Sequence, residues 1–100
     1  MEKYIYQVLS KRVPRRLKYK CRRDGDHYMI LGKRGDSILT LNHSAFNILD
    51  KCDGCNTIAD IHNQLLSFYT NVETDKLLSD IIYTIIDFEA LSFITFRGNI

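Results

Sequence analysis

No stretch of this 100-residue sequence approaches the roughly eighteen apolar residues of a membrane-spanning helix. Its first residues also lack the apolar run and cleavage site of a secretory signal, so the cytoplasm is the expected compartment. Catalytic motifs are equally scarce. There is no Gly-x-Ser-x-Gly and no His-Glu-x-x-His, and the segment Gly32 to Gly35 lacks the Gly-Lys-Ser/Thr ending of a phosphate loop. An enzyme of this size without a convergent acid, base or nucleophile is not expected, and neither is a cofactor. With 45% hydrophobic residues, 26% charged residues and one proline, the chain is long enough for one modest core.

Cysteine is also sparse, with three in all. Cys52 and Cys55 form a Cys-x-x-Cys pair, which invites a zinc or redox reading. A closed zinc site needs two further ligands, yet His27, His43 and His62 show no zinc-finger spacing and no second pair follows. A redox pair places its reactive thiol at a helix N-terminus. Cys52 falls at a helix C-terminus, where the dipole disfavours an anion. No metal is therefore expected. Cys52 reads as a small core residue, Cys55 as an exposed loop thiol, and the isolated Cys21 fits a reducing compartment.

Charge is distributed unevenly along the chain. Residues 1–23 carry nine basic side chains against Glu2 alone, a balance of +8, whereas the remainder carries five against eleven, or −6. This basic arm is either a solvated terminus or a contact for an acidic partner, such as nucleic acid, a leader peptide rich in Asp and Glu, or an enzyme surface.

Residues 41–61 contain the clearest local signals. Asn42 can cap a short helix through Phe46 and Leu49, which Gly54 stops. Asn56 or Thr57 can cap a second helix striped by Ile58, Ile61, Leu65 and Phe68. Upstream, Tyr28 to Leu31 and Ser37 to Leu41 read as a hairpin around Gly32-Lys33-Arg34-Gly35-Asp36. Leu17 to Arg22 adds a third strand through the turn at Asp24-Gly25-Asp26. A third helix, from about Glu73 to Ala90 and capped by Asn71 or Thr74, has an apolar arc of about 220° where one packed face needs roughly 100°. Either the domain covers both flanks of that helix or one flank is left as a groove. The expected fold is α+β and winged-helix-like, a three-stranded antiparallel sheet followed by three helices. Residues 1–16 form the arm, 17–96 the domain and 97–100 a tail.

In order and spacing the chain resembles the PqqD-like proteins, the recognition elements of ribosomally made, post-translationally modified peptides. The resemblance rests on Leu39 to Asn42, Ala45, Ile48-Leu49, Asp53-Gly54, Thr57-Ile58, Ile61, Leu65, Tyr69, and the Asp80 to Leu91 pattern with Ile81, Ile85, Phe88 and Leu91. It implies a non-catalytic module that captures the leader segment of a precursor peptide by strand addition and presents it to a separate modifying enzyme. That enzyme could be a radical S-adenosylmethionine protein, a cyclodehydratase or a leader peptidase. The strand edge would be Ser37, Ile38, Leu39, Thr40 and Leu41. The helical wall would be Lys76, Asp80, Tyr83, Thr84 and Asp87, with apolar help from Ile82 and Ile86. A strand apolar on both faces at a sheet edge suits an incoming chain. The alternatives are a winged-helix DNA-binding protein or an interaction adaptor without a peptide substrate. The third helix carries Asp75, Asp80, Asp87 and Glu89 against Lys76 alone, which disfavours nucleic acid. Oligomeric state stays open, because the same edge can pair with its own copy.

Overall fold

In the computed structural model, which describes residues 3–32, 38–69 and 73–97, local turn chemistry sets the first sheet. β2 (Tyr19–Asp24) and β3 (His27–Gly32) are joined by the two residues Gly25-Asp26. Gly25 has φ 60, as the first central position of a type II′ hairpin turn requires. β3 pairs in turn with β4 (Ile38–Asn42), giving an antiparallel sheet in the order β2-β3-β4. Register aligns Cys21, Ile30 and Leu39 in one row and Arg23, Tyr28 and Leu41 in the next. Side chains opposite one another share a face, so Ile30 and Leu41 enter the core together, while Lys20, Leu31 and Ile38 occupy the outer face. The loop expected at residues 33–36 lies outside the described residues.

β4 runs directly into a helix. Asn42, the last strand residue, is also the N-cap of α2 (His43–Asp50), its side-chain oxygen accepting from the Ala45 N–H at 2.8 Å. Ring stacking of Tyr28 on Phe46, with centroids 4.0 Å apart, holds α2 against the sheet. α3 (Ile58–Leu66) opens with a complete capping box: Thr57 Oγ1 accepts from Asp60 N–H and the Asp60 carboxylate accepts from Thr57 N–H, both at 3.0 Å. The sheet followed by these helices is the expected α+β arrangement.

Two expected helix boundaries differ. α4 (Thr74–Ala90) has Glu73 as its N-cap with no side-chain hydrogen bond, so Thr74 is the first helical residue rather than the cap; Asn71 lies outside the described residues. His62, nearly buried, supplies a tie there by donating Nε2–H to the Thr74 carbonyl at 3.0 Å. Nor does Gly54 stop α2, which ends at Asp50 with Lys51 as its C-cap.

The N-terminal segment is structured. α1 (Lys3–Leu9) lies against α4, where Tyr6 Oη donates to Ser79 Oγ at 2.9 Å. β1 (Val13–Arg16) pairs antiparallel with β5 (Ile94–Arg97), forming a second, two-stranded sheet. β5 follows α4 through a Schellman turn, in which Ser92 takes φ 64 and Phe93 N–H reaches the Phe88 carbonyl at 2.8 Å. Phe88 and Phe93 are both buried beneath this turn. Ile81 and Ile85 of α4, Leu49, Ile58, Ile61 and Ile30 form the centre of one core. Among the described residues no helix is long and apolar enough to cross a membrane.

Candidate functional site

Among the described residues the order β2-β3-β4 leaves β4 paired on one side only, and its other edge borders α4. Alternate residues of such a strand turn their backbone N–H and C=O groups away from the sheet, available to another chain. Between β4 and α4 lies a cleft of about 430 Å³. Leu39 and Leu41 line it from β4, Ala45 from α2, and Thr84, Asp87, Phe88, Ala90 and Leu91 from α4 and its C-terminal end.

A second cavity of about 310 Å³ continues the first, because Ala45 and Thr84 line both. Here the walls are Asn42, Ser44 and Ile48 from the β4-α2 junction, Leu65 and Tyr69 from α3 and its end, and Leu77 and Asp80 from α4. Tyr69 Oη lies 3.4 Å from Ser44 Oγ, joining the two ends of the wall. From Leu77 to Leu91 the groove follows fourteen helical steps of 1.5 Å, about 21 Å, which is the length of roughly six extended residues.

Of the residues expected at the site, Leu39, Leu41, Asp80, Thr84 and Asp87 line this groove. Leu41 is largely buried, so its role is chiefly in the floor of the sheet. Ile38 and Thr40 belong to the β4 edge by backbone, but their side chains alternate with Leu39 and Leu41 onto the outer face. Ser37 lies outside the described residues. Ile82 requires correction: it is 0% exposed and belongs to the core. Lys76, Tyr83 and Ile86 are exposed yet line neither cavity. At about 100° per residue, Thr84, Asp87 and Leu91 cluster within about 60°, whereas Tyr83 stands about 40° beyond Asp87 and Ile86 about 100° beyond it. Lys76 contributes indirectly, its Nζ sitting 3.4 Å from Asp80 Oδ2. Missed as groove residues were Asn42, Ser44, Ala45, Ile48, Leu65, Tyr69, Leu77, Phe88, Ala90 and Leu91, of which Ala45 lines both cavities. Ala45, Ile48, Leu65, Tyr69, Phe88 and Leu91 all belong to the pattern that carries the family resemblance, which is the signal that could have found them.

The model of the family described as coenzyme PQQ synthesis protein D matches residues 27–94. The chain belongs to the PqqD family. No curated protein and no solved structure matches it. The matched region begins at β3 and ends with the first residue of β5, so it contains every groove-lining residue and both edges of β4 and α4 that face each other. The PqqD family is one of non-catalytic accessory proteins.

Within the PqqD match, the Asp53-Gly54 segment acts on structure. Asp53 Oδ1 accepts from the N–H groups of Cys55 and Asn56 at 2.8 and 3.0 Å. These backbone donors hold its carboxyl below the usual range. Gly54 has φ 81, and a Cβ there would come within 3.2 Å of Arg15 Cγ. β1 and β5 clasp this turn: Gly54 N–H donates to the Pro14 carbonyl at 3.0 Å and Arg16 N–H to the Cys52 carbonyl at 2.8 Å from β1, and Arg97 of β5 donates Nη1–H to the Gly54 carbonyl at 3.1 Å. The turn is thereby fixed to the second sheet, and with it the distance between α2 and α3.

Cys52 is fully buried, its Sγ donating to the Ile48 carbonyl at 3.2 Å, and burial pushes its pKa up to about 12. A thiol held neutral in this way is a poor nucleophile and a poor metal ligand. Cys21 and Cys55 are exposed. Among the described residues no three His, Cys, Asp or Glu side chains converge as a metal site would require.

Proposed function

We propose that this chain is a peptide-binding module that captures the leader segment of a ribosomally made precursor by strand addition at β4 and presents the rest of the precursor to a separate modifying enzyme. The observation that carries the reading is the one-sided pairing of β4 opposite α4 across an apolar cleft. An extended peptide gains main-chain hydrogen bonds from the strand, while its alternate side chains enter the spaces beside Leu39, Ala45 and Leu91. Membership of the PqqD family supports the same assignment. From Thr84 towards Leu77 the groove is walled by α2, α3 and only the last residue of β4, Asn42, so strand pairing gives way there to side-chain contact.

The chain performs no chemistry in this role. Tethering the leader raises the effective concentration of the remaining precursor at an enzyme bound to the same module, a gain that requires no new contact with the reacting residues. The partner would be an enzyme such as a radical S-adenosylmethionine protein, a cyclodehydratase or a leader peptidase, meeting the module in the cytoplasm.

The test is isothermal titration of the chain with the leader segments of short open reading frames found near its gene. Leu39→Asp, which places a charge on the apolar wall, abolishes binding, while Ile86→Asp, outside the groove, leaves it intact. Undiminished affinity of a folded Leu39→Asp variant would overturn the assignment of the cleft.

A further inference from the structure

Three of the nine basic residues that pointed to an acidic partner stand away from the cleft. Lys20, Arg22 and Arg23 lie on β2, separated from β4 by β3, a distance of about 10 Å across the sheet. All three are exposed. Among the described residues the groove itself is lined by two charged side chains, Asp80 and Asp87, both negative in a chain of net charge +2. Asp80 is offset by Lys76 at 3.4 Å, whereas Asp87 forms no salt bridge among the described residues. Around Asp87 the cleft presents Leu39 and Leu91 over the buried Leu41 and Phe88, a set that favours aliphatic or aromatic side chains. A leader rich in Asp and Glu would meet like charge against this wall.

Building on the peptide-binding reading above, we infer that the segment held along the groove is apolar and basic: about six extended residues, of which about three lie beside β4, alternately apolar, with a Lys or Arg beside Asp87. Asp87 is then a specificity residue. It selects the charge and register of the incoming strand, while the apolar walls supply most of the contact. Register follows because moving a strand by one residue sends its side chains to the opposite face, removing the cation from the carboxylate and the apolar groups from the cleft together.

The experiment uses the full chain to select from a phage-displayed library of random peptides, followed by fluorescence-anisotropy titration of one selected peptide and of copies in which its basic residue is replaced. Selected peptides carry Lys or Arg within an alternating apolar pattern. Exchanging that residue for Glu weakens binding about fivefold, the scale of an exposed ion pair, and the difference shrinks at high salt. Asp87→Asn removes the preference, and Asp87→Lys reverses it in favour of the Glu copy. Asp87 is exposed, so both variants keep the fold. Enrichment of acidic peptides, or an unchanged preference in Asp87→Lys, would overturn the charge assignment while leaving peptide capture standing. Failure to select any peptide would overturn the peptide-binding reading, and this inference with it.

Discussion

Neighbouring residues of β4 provide a matched pair of perturbations. Leu39 lines the cleft, and Ile38, 67% exposed, stands on the outer face of the same sheet. Leu39→Ala removes three carbon atoms from the cleft wall. At about 0.8 kcal/mol per buried methylene the upper limit is about 2.4 kcal/mol, and because Leu39 is already mostly buried against the core before binding, only about a third of that, roughly 0.8 kcal/mol, is lost once a peptide would cover it. That corresponds to roughly a fourfold rise in Kd. Ile38→Ala removes a side chain of similar size one residue away and should change Kd less than about twofold. Both variants keep the β4 backbone, so main-chain pairing is constant between them. Isothermal titration with the leader peptide measures the difference, and guanidinium melts of each variant establish that the fold is retained. A larger loss for Ile38→Ala, or no loss for either, would refute the placement of the peptide on the cleft side of the strand.

Two backbone positions of positive φ should respond in opposite directions. Ser92→Gly relieves a left-handed serine in the turn after α4 and should raise stability by about 0.5–1 kcal/mol, seen as a higher Tm. Gly54→Ala adds a Cβ at φ 81, 3.2 Å from Arg15 Cγ, and should cost about 1–2 kcal/mol by the same measurement. In the native protein a thiol reagent should modify Cys21 and Cys55 quickly and Cys52 only after unfolding, as mass spectrometry of partly labelled protein would report. Because the folded pKa of Cys52 is raised to about 12, its contribution to stability is fully present below the unfolded thiol value of about 8.5 and is lost as pH rises towards 12. Asp53 has the opposite sign. Its lowered pKa contributes stability above the ordinary value of about 3.9 that is lost as pH falls through the depressed one, and an Asp53→Ala variant should lack this acid-side dependence in urea titrations.

What could be read from the sequence was local. Asn42 and the Thr57–Asp60 box announce two helix starts because each bond closes within three residues, and Gly25 marks the hairpin because its turn needs a positive φ. The third strand was expected two residues early, at Leu17 to Arg22 instead of Tyr19–Asp24, since a run of basic residues carries little alternation to fix its ends. What could not be read depended on distant partners. The wide apolar arc of α4 suggested an open flank at Ile82, but Ile82 is buried, with Tyr6 of α1 bonded to Ser79 one helical turn earlier. Nothing in the periodicity of either segment pairs them. Likewise β1 and β5 join opposite ends of the chain, and neither four-residue strand announces its partner. For the groove, Leu39, Asp80, Thr84 and Asp87 followed from the family resemblance, while Tyr83 and Ile86 were assigned to a wall they do not line, because the rotation of α4 is set by packing.

The central claim, that a peptide adds to the free edge of β4, is tested most directly by amide hydrogen exchange of the chain with and without saturating leader peptide. Exchange is expected to slow at alternate residues of Ile38–Asn42, with β2 unchanged. Unchanged exchange in β4 together with new protection on β2 would contradict it.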